Sequence, residues 1–288
     1  MHNNDVKHTE GVIEVRAKEL QMKMESRLQL DKYKDSLDTV YEIMARLNKY
    51  TTEEMLFYSA QLLADLTHSK DVAIYTIVNK TYARLFSATS PEARKLGNSI
   101  KYAAIEDVYQ ELLEGRIYLN TAMDENLPLM AGAVYAEEKI QLILMFWGMP
   151  SHTVTSADAN RLTVIITLIQ NSLLRAKRLM VSFRKQNYLE GSNVLNEEAF
   201  TALVKTFLEA RDKGLAECTL LEIVLGYEDY EPVSRKLACD IRQTDYMGII
   251  DGRKLYILLT NTDAKNAEVV QTRLQKTGYR SLIKENIL

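Results

Sequence analysis

The period of the apolar residues changes at Asp71, and that switch limits the folds open to the chain. Before it, residues 10–49 are rich in Glu, Lys, Arg, Leu and Met, with no Pro and no Gly after Gly11, which predicts one long helix. In its second half Leu30, Tyr33, Leu37, Val40, Met44 and Leu47 recur at alternating spacings of three and four, a heptad seam that needs a partner helix. Thr51-Thr-Glu-Glu54 is a capping box that starts another helix, with its buried stripe from Met55 to Leu66. After Asp71, Val72, Ile74, Tyr75, Ile77 and Val78, then Ala83, Leu85 and Phe86, read as two strands joined near Asn79-Lys80. A chain that makes both changes is α+β.

The remaining elements follow from the same patterns. A helix is expected over about Ala104–Glu114 and strands over Leu129–Tyr135 and Lys139–Trp147; Thr155-Ser-Ala-Asp158 then caps a long helix running past Arg184. Helices around a meander of strands predict an antiparallel sheet. In the closing helix Leu162, Ile166, Ile169, Leu173, Ala176, Met180 and Phe183 keep four-three spacing, while Val164, Ile165 and Leu168 make a second stripe. One face would cover the sheet and the other would meet a second subunit, so a homodimer through the N-terminal helix and the 160–185 helix is expected. A linker over residues 185–196 leads to a second block: a helix from Glu197, a strand at Cys218–Gly226, a helix at Val233–Arg242, a hairpin of Tyr246–Ile250 and Leu255–Thr260 through Asp251-Gly252, a helix at Lys265–Lys276 and a strand at Ser281–Ile283.

Composition removes several function classes. The 288 residues carry a formal charge of -3, so no global basic field attracts nucleic acid and an anionic ligand needs a local cluster. Cys218 and Cys239 have no CxxC pairing and read as two buried free thiols, and the four histidines have no metal spacing, so no metal or cofactor is assigned. No apolar run approaches the ~20 residues of a membrane span, and the start lacks a secretory signal, so a cytoplasmic chain is expected.

One stretch carries chemistry: Arg242-Gln-Thr-Asp245, then five residues, then Asp251-Gly-Arg-Lys-Leu255. A guanidinium fork matches a phosphate or the O6/N7 edge of guanine, and a carboxylate accepts guanine N1–H and N2–H. The same pair three residues apart near a helix end equally reads as an exposed ion pair of little consequence.

Two resemblances add to this. Residues of about 50–180 resemble a GAF domain in element order, which implies a small-molecule-binding or dimerising module; no cysteine suits bilin attachment and no histidine suits haem. Residues of about 188–288 resemble a GGDEF domain, the fold of diguanylate cyclases, through Asn193-Val-Leu-Asn-Glu-Glu-Ala-Phe200, Leu221-Glu-Ile-Val-Leu225, the RxxD-five-residue-GGDEF register and Leu255–Asp263. The departures imply a dead enzyme. Asp251 replaces the first glycine, Arg253 and Lys254 replace the acidic pair that holds Mg²⁺, and the stretch between Leu225 and Arg242 is short. In that family RxxD is the inhibitory site for product cyclic di-GMP, often with a second arginine about thirty residues on, where Arg273 stands.

The combination resembles the PelD family of cyclic di-GMP receptors. That resemblance implies a signalling helix at residues 10–49, a GAF-like domain at 50–185 and a degenerate GGDEF-like domain at 188–288. It also implies cyclic di-GMP, as one molecule or an intercalated dimer, held by Arg242, Asp245 and Arg273. The implied partner is a polysaccharide synthase or glycosyltransferase at the inner face of the cell membrane, reached through partners or a preceding membrane segment. Arg253 and Arg280 read as solvated surface charges. Two rival readings stay open, a ligand-free dimeric protein-binding scaffold and a divergent nucleotide cyclase or phosphodiesterase.

Overall fold

A computed structural model describes residues 40–49, 51–148, 155–226, 228–251 and 253–285. The chain divides into two compact units, residues 1–46 and 47–288. Residues 40–47 are helical, and the part of the expected N-terminal helix and heptad seam before residue 40 lies outside the described residues.

The described residues of 47–288 hold two sheets. The first is antiparallel, with strands β1 (Val72–Ile77), β2 (Tyr82–Ala88), β3 (Ser99–Lys101), β4 (Tyr118–Leu119), β5 (Met130–Ala136) and β6 (Lys139–Phe146) in the order β3-β2-β1-β6-β5-β4. Helix α1 (Thr52–Thr67) begins at the predicted capping box, where Thr51 accepts from the Glu54 amide and the Glu54 carboxylate accepts from the Thr51 amide. Helix α2 (Glu106–Leu113) lies on the far face. The long helix α3 (Ser156–Asn187) is capped by Thr155, whose hydroxyl accepts from the Asp158 amide. It lies across β5, where a Cβ on Gly132 would overlap the Ile166 side chain.

Leu162, Ile166, Ile169 and Leu173 of α3 are buried as the first stripe predicts. The second stripe divides: Ile165 and Leu168 are buried, while Val164 is 53% exposed.

The far face of this sheet is filled. Ala73, Tyr75, Leu85, Ile143 and Met145 meet Tyr102, Ile105, Val108 and Leu112 in one cluster, closed at its edge by Trp147. Its buried hydroxyls are satisfied: Tyr75 donates to the Gly97 carbonyl at 3.0 Å, and Tyr102 to the Asn79 and Tyr82 carbonyls at 2.9 Å.

The second sheet joins β7 (Val194–Leu195), β8 (Cys218–Ile223), β9 (Tyr246–Ile250), β10 (Lys254–Thr260) and β11 (Ser281–Lys284) in the order β11-β8-β10-β9-β7. Among the described residues only β7 and β9 are parallel neighbours. From β8 onward the chain runs β-α-β-β-α-β, with α5 (Tyr230–Leu237) and α6 (Ala264–Lys276) as crossovers, a split βαβ arrangement. Both faces are covered, so β10 is apolar from Leu255 to Leu259: Leu255, Ile257 and Leu259 face α5 and α6, while Tyr256 and Leu258 face α4 (Glu197–Asp212). Gly248 is required on β9, since a Cβ there would run into the Phe200 ring of α4.

Three expectations are corrected. The helix expected over Val233–Arg242 is α5, which ends at Leu237, so Arg242 sits in a loop. Cys239 is exposed beyond that helix, whereas Cys218 is buried on β8. The expected linker at 185–196 is partly regular, since α3 continues to Asn187 and Val194–Leu195 pairs with β9.

Candidate functional site

The two sheets meet through α1, β2 and α4. Phe57, Phe86 and Phe207 form an aromatic triad with centroid distances of 4.7, 5.2 and 6.1 Å. Polar bonds cross the same junction. The Ala88 amide donates to the Leu215 carbonyl at 2.9 Å, and the Asn261 side-chain amide to the Leu85 and Phe86 carbonyls at 2.6 and 3.0 Å. Tyr246 donates to Glu53 at 3.1 Å. Glu53 is 7% exposed, and its burial pushes its carboxyl above the usual range despite that bond.

Arg242 and Asp245 stand in the loop that enters β9, beside this junction. The loop is a turn closed twice: the Asp245 amide donates to the Arg242 carbonyl at 3.0 Å, and the Arg242 amide donates back to the Asp245 carboxylate at 3.0 Å. The other carboxylate oxygen of Asp245 accepts from the Thr260 amide of β10 at 3.1 Å. Asp245 therefore ties the loop to the sheet. Burial raises its pKa, against those two amide bonds and the attraction of Arg242 and Arg84.

The Arg242 guanidinium is half-buried and donates to the Thr262 hydroxyl at 3.2 Å. Burial lowers its pKa, and two other arginines, Arg84 of β2 and Arg273 of α6, add repulsion. The structure thus brings together Arg242, Asp245 and Arg273, the residues singled out from the sequence, and adds Arg84. Arg84 also lies over the Tyr82 ring, 5.6 Å from its centroid. Among the described residues none of these three arginines makes an ion pair with a carboxylate, although other surface arginines do. Three guanidinium groups, set against the Asp245 carboxylate that attracts Arg242 and Arg84, leave a local positive field in a chain of net charge -3.

A pocket of about 320 Å³ opens on the Arg242–Asp245 loop, lined also by Tyr188, Asn193, Gln243 and Tyr246. Its walls offer aromatic faces and amide groups next to a guanidinium, the chemistry that holds a planar base beside a phosphate. Arg84, Tyr188 and Asn193 were not singled out as site residues in the sequence. An Arg two residues beyond an aromatic on an apolar strand was a weak signal, and neither Tyr188 nor Asn193 carries a mark separating it from linker.

At the hairpin, Asp251 takes a positive φ of 52°, as its place there predicts. Its carboxylate pairs with Lys254 at 2.8 Å, and Arg253 is exposed. Arg280 is exposed as well. Among the described residues there is no group of three His, Cys, Asp or Glu placed to hold a metal ion, and no helix is long and apolar enough to cross a membrane.

No protein-family model matches the chain, and no curated protein matches it. Solved structures do. A C-terminal portion of PelD from Pseudomonas aeruginosa is 15% identical, covering 86% of this chain and 89% of that one with a TM-score of 0.38. The GAF domain of an Acinetobacter phosphoenolpyruvate-protein phosphotransferase is 13% identical over 50% of this chain and 95% of its own, with a TM-score of 0.40. A GAF domain/HD domain protein from Geobacter sulfurreducens is 12% identical over 48% and 98%, with a TM-score of 0.37. Likenesses of this size assign no ligand and no activity.

Proposed function

We propose that the protein is a non-catalytic receptor for cyclic di-GMP, in which Arg242, Arg273 and Arg84 hold the phosphates and guanine edges and Asp245 shapes the loop that presents Arg242. The observation that carries this reading is the arginine cluster at the junction of the two sheets, three guanidinium groups against the Asp245 carboxylate and none of them in a close ion pair among the described residues. Guanidinium groups are ordinarily paired when half-buried, and a ligand with two phosphates would supply the missing charge. Binding would link β2 of the first sheet to the loop and α6 of the second, and so fix their relative pose. The split βαβ order of the second sheet and the hairpin Asp251–Leu255 support its origin as a degenerate GGDEF-like domain, with Arg253 and Lys254 where a cyclase needs carboxylates.

The output proposed is control of an exopolysaccharide synthase of the Pel type through a glycosyltransferase partner at the inner face of the membrane, from a homodimer joined by its N-terminal and 160–185 helices. Val164 and Leu179, at 53% and 49% exposure on α3, offer apolar surface for such a contact.

One observation favours a second reading, a ligand-free protein-binding scaffold: both carboxylate oxygens of Asp245 already accept backbone amides. Thermal melting separates the two. A receptor gains stability from excess cyclic di-GMP because the ligand binds only the native state. An unchanged melting temperature at saturating ligand would favour the scaffold. In the same preparation GTP with Mg²⁺ should yield no cyclic dinucleotide; any such product would favour a cyclase instead.

A further inference from the structure

A second polar site lies between the sheets, in a cavity of about 280 Å³ whose lining excludes Arg84, Arg242 and Arg273. Its walls come from α1, α3, both sheets and the Gln243-Thr244 pair of the loop. That volume equals about nine water molecules and lies at the small end of ligand pockets.

Three features of the lining point to an occupant. Glu53, on one wall, is almost fully buried and has Tyr246 as its hydrogen-bond donor, with no cation paired to it among the described residues. Lys177, on another, donates to the Gln141 side chain at 2.8 Å and has no carboxylate in ion-pair contact among the described residues. Neither group is the other's ion-pair partner, so one cavity presents an acid and a base with no close ion pair among the described residues, Lys177 having only the more distant attraction of Glu137. The third feature is Asn261, 6% exposed, whose Oδ1 is buried without a hydrogen-bond partner while its amide nitrogen is fully used on β2. A buried acceptor without a donor costs about 1–3 kcal/mol, which a bound donor would recover.

Burial acts on the two charges in the directions expected of unpaired groups, pushing the Glu53 carboxyl up and the Lys177 ammonium down. A zwitterion reverses both effects. Its ammonium has three donors, enough for Glu53 and Asn261 together, and its carboxylate accepts from Lys177.

We propose that this cavity binds a free α-amino acid, with its ammonium at Glu53 and Asn261 Oδ1 and its carboxylate at Lys177. The site stands whether or not the arginine cluster takes a nucleotide. Because Gln243 and Thr244 lie both on its wall and between Arg242 and Asp245, an occupant would also touch the loop that presents Arg242.

The test uses the full chain without any nucleotide. Each of the twenty L-amino acids is titrated in thermal melting and then calorimetry. At least one should raise the melting temperature, and its N-acetylated and carboxamide forms should bind at least tenfold more weakly, since each removes one charge. Glu53→Gln keeps a hydrogen-bond acceptor for Tyr246 and Lys177→Met keeps the length of the stem; each should weaken the active amino acid at least tenfold. No shift with any amino acid would overturn the proposal, and so would undiminished binding of either blocked form or by either variant. The blocked forms probe the wild-type protein, so the outcome does not depend on a variant folding.

Discussion

The two faces of the first sheet differ in what they leave unsatisfied. On the far face, Tyr75, Tyr102 and Trp147 fill the space, and the tyrosine hydroxyls find backbone carbonyls. On the junction side, Glu53, Lys177 and Asn261 line a cavity, and Arg84 and Arg242 repel each other, with the Asp245 carboxylate attracting both but no close ion pair among the described residues. Close packing explains most of the first face, where Trp147 Nε1 is nevertheless a buried polar atom without a partner. It does not explain the second. Both proposed sites therefore lie between the sheets, where a sequence resembling a GAF domain would lead one to look inside the domain.

Substitutions separate the faces by what they change. The largest effect should come from Phe207→Ala, which removes the centre of the aromatic triad that joins the sheets. A loss of about 3–5 kcal/mol is expected in urea unfolding, and a loss below 1 kcal/mol would mean the sheets are not held together there. Gly248→Ala, which drives a methyl group into Phe200, should cost about 1–3 kcal/mol by the same measurement.

Arg84→Ala is the sharpest test of the contrast, because it should leave stability nearly unchanged and weaken cyclic di-GMP by about 10- to 100-fold, the worth of one charge-assisted bond. Its counterpart on the far face, Tyr75→Phe, should cost about 0.5–1.5 kcal/mol for the lost bond to Gly97 and leave ligand binding untouched. If Tyr75→Phe changed affinity as much as Arg84→Ala, the distinction between the faces would fail.

A smaller effect concerns pH. Burial holds the Glu53 proton in the folded state to higher pH than in the unfolded chain. The stability contributed by protonated Glu53 is fully present below the unfolded carboxyl range and is lost as pH rises through the folded value. Wild type should therefore lose stability relative to Glu53→Gln across that interval, and a difference independent of pH would show that Glu53 is not protonated on folding. Smallest of all is Lys254→Ala, since the Lys254–Asp251 pair is exposed and its loss should leave the melting temperature unchanged.

Most of the architecture was legible because it rests on local signals. The capping boxes at Thr51 and Thr155 start helices where they stand, and the Asp251-Gly252 dipeptide between two apolar runs marks the hairpin. The helix expected to reach Arg242 stops at Leu237 as the Cys239 and Asp240 amides bond three residues back, to Lys236 and Leu237, and Asp245 draws the Arg242 amide into a turn. Periodicity cannot see that competition from a side chain. The site was legible in part. Arg242 and Asp245 are close in sequence, and Arg273 follows from a resemblance. Arg84 comes from the other sheet and approaches Arg242 only because Phe86, two residues on, is anchored in the triad. The double use of Asp245 depends on Thr260, across the hairpin. Contacts set by tertiary packing leave no spacing to read.

The central claim, that the junction arginines receive a cyclic dinucleotide, is tested most directly by calorimetric titration of cyclic di-GMP into wild type and Arg242→Ala. Saturable binding to wild type, with binding at least tenfold weaker in the variant, is the predicted result. Equal binding to both, or no heat with either, would contradict it.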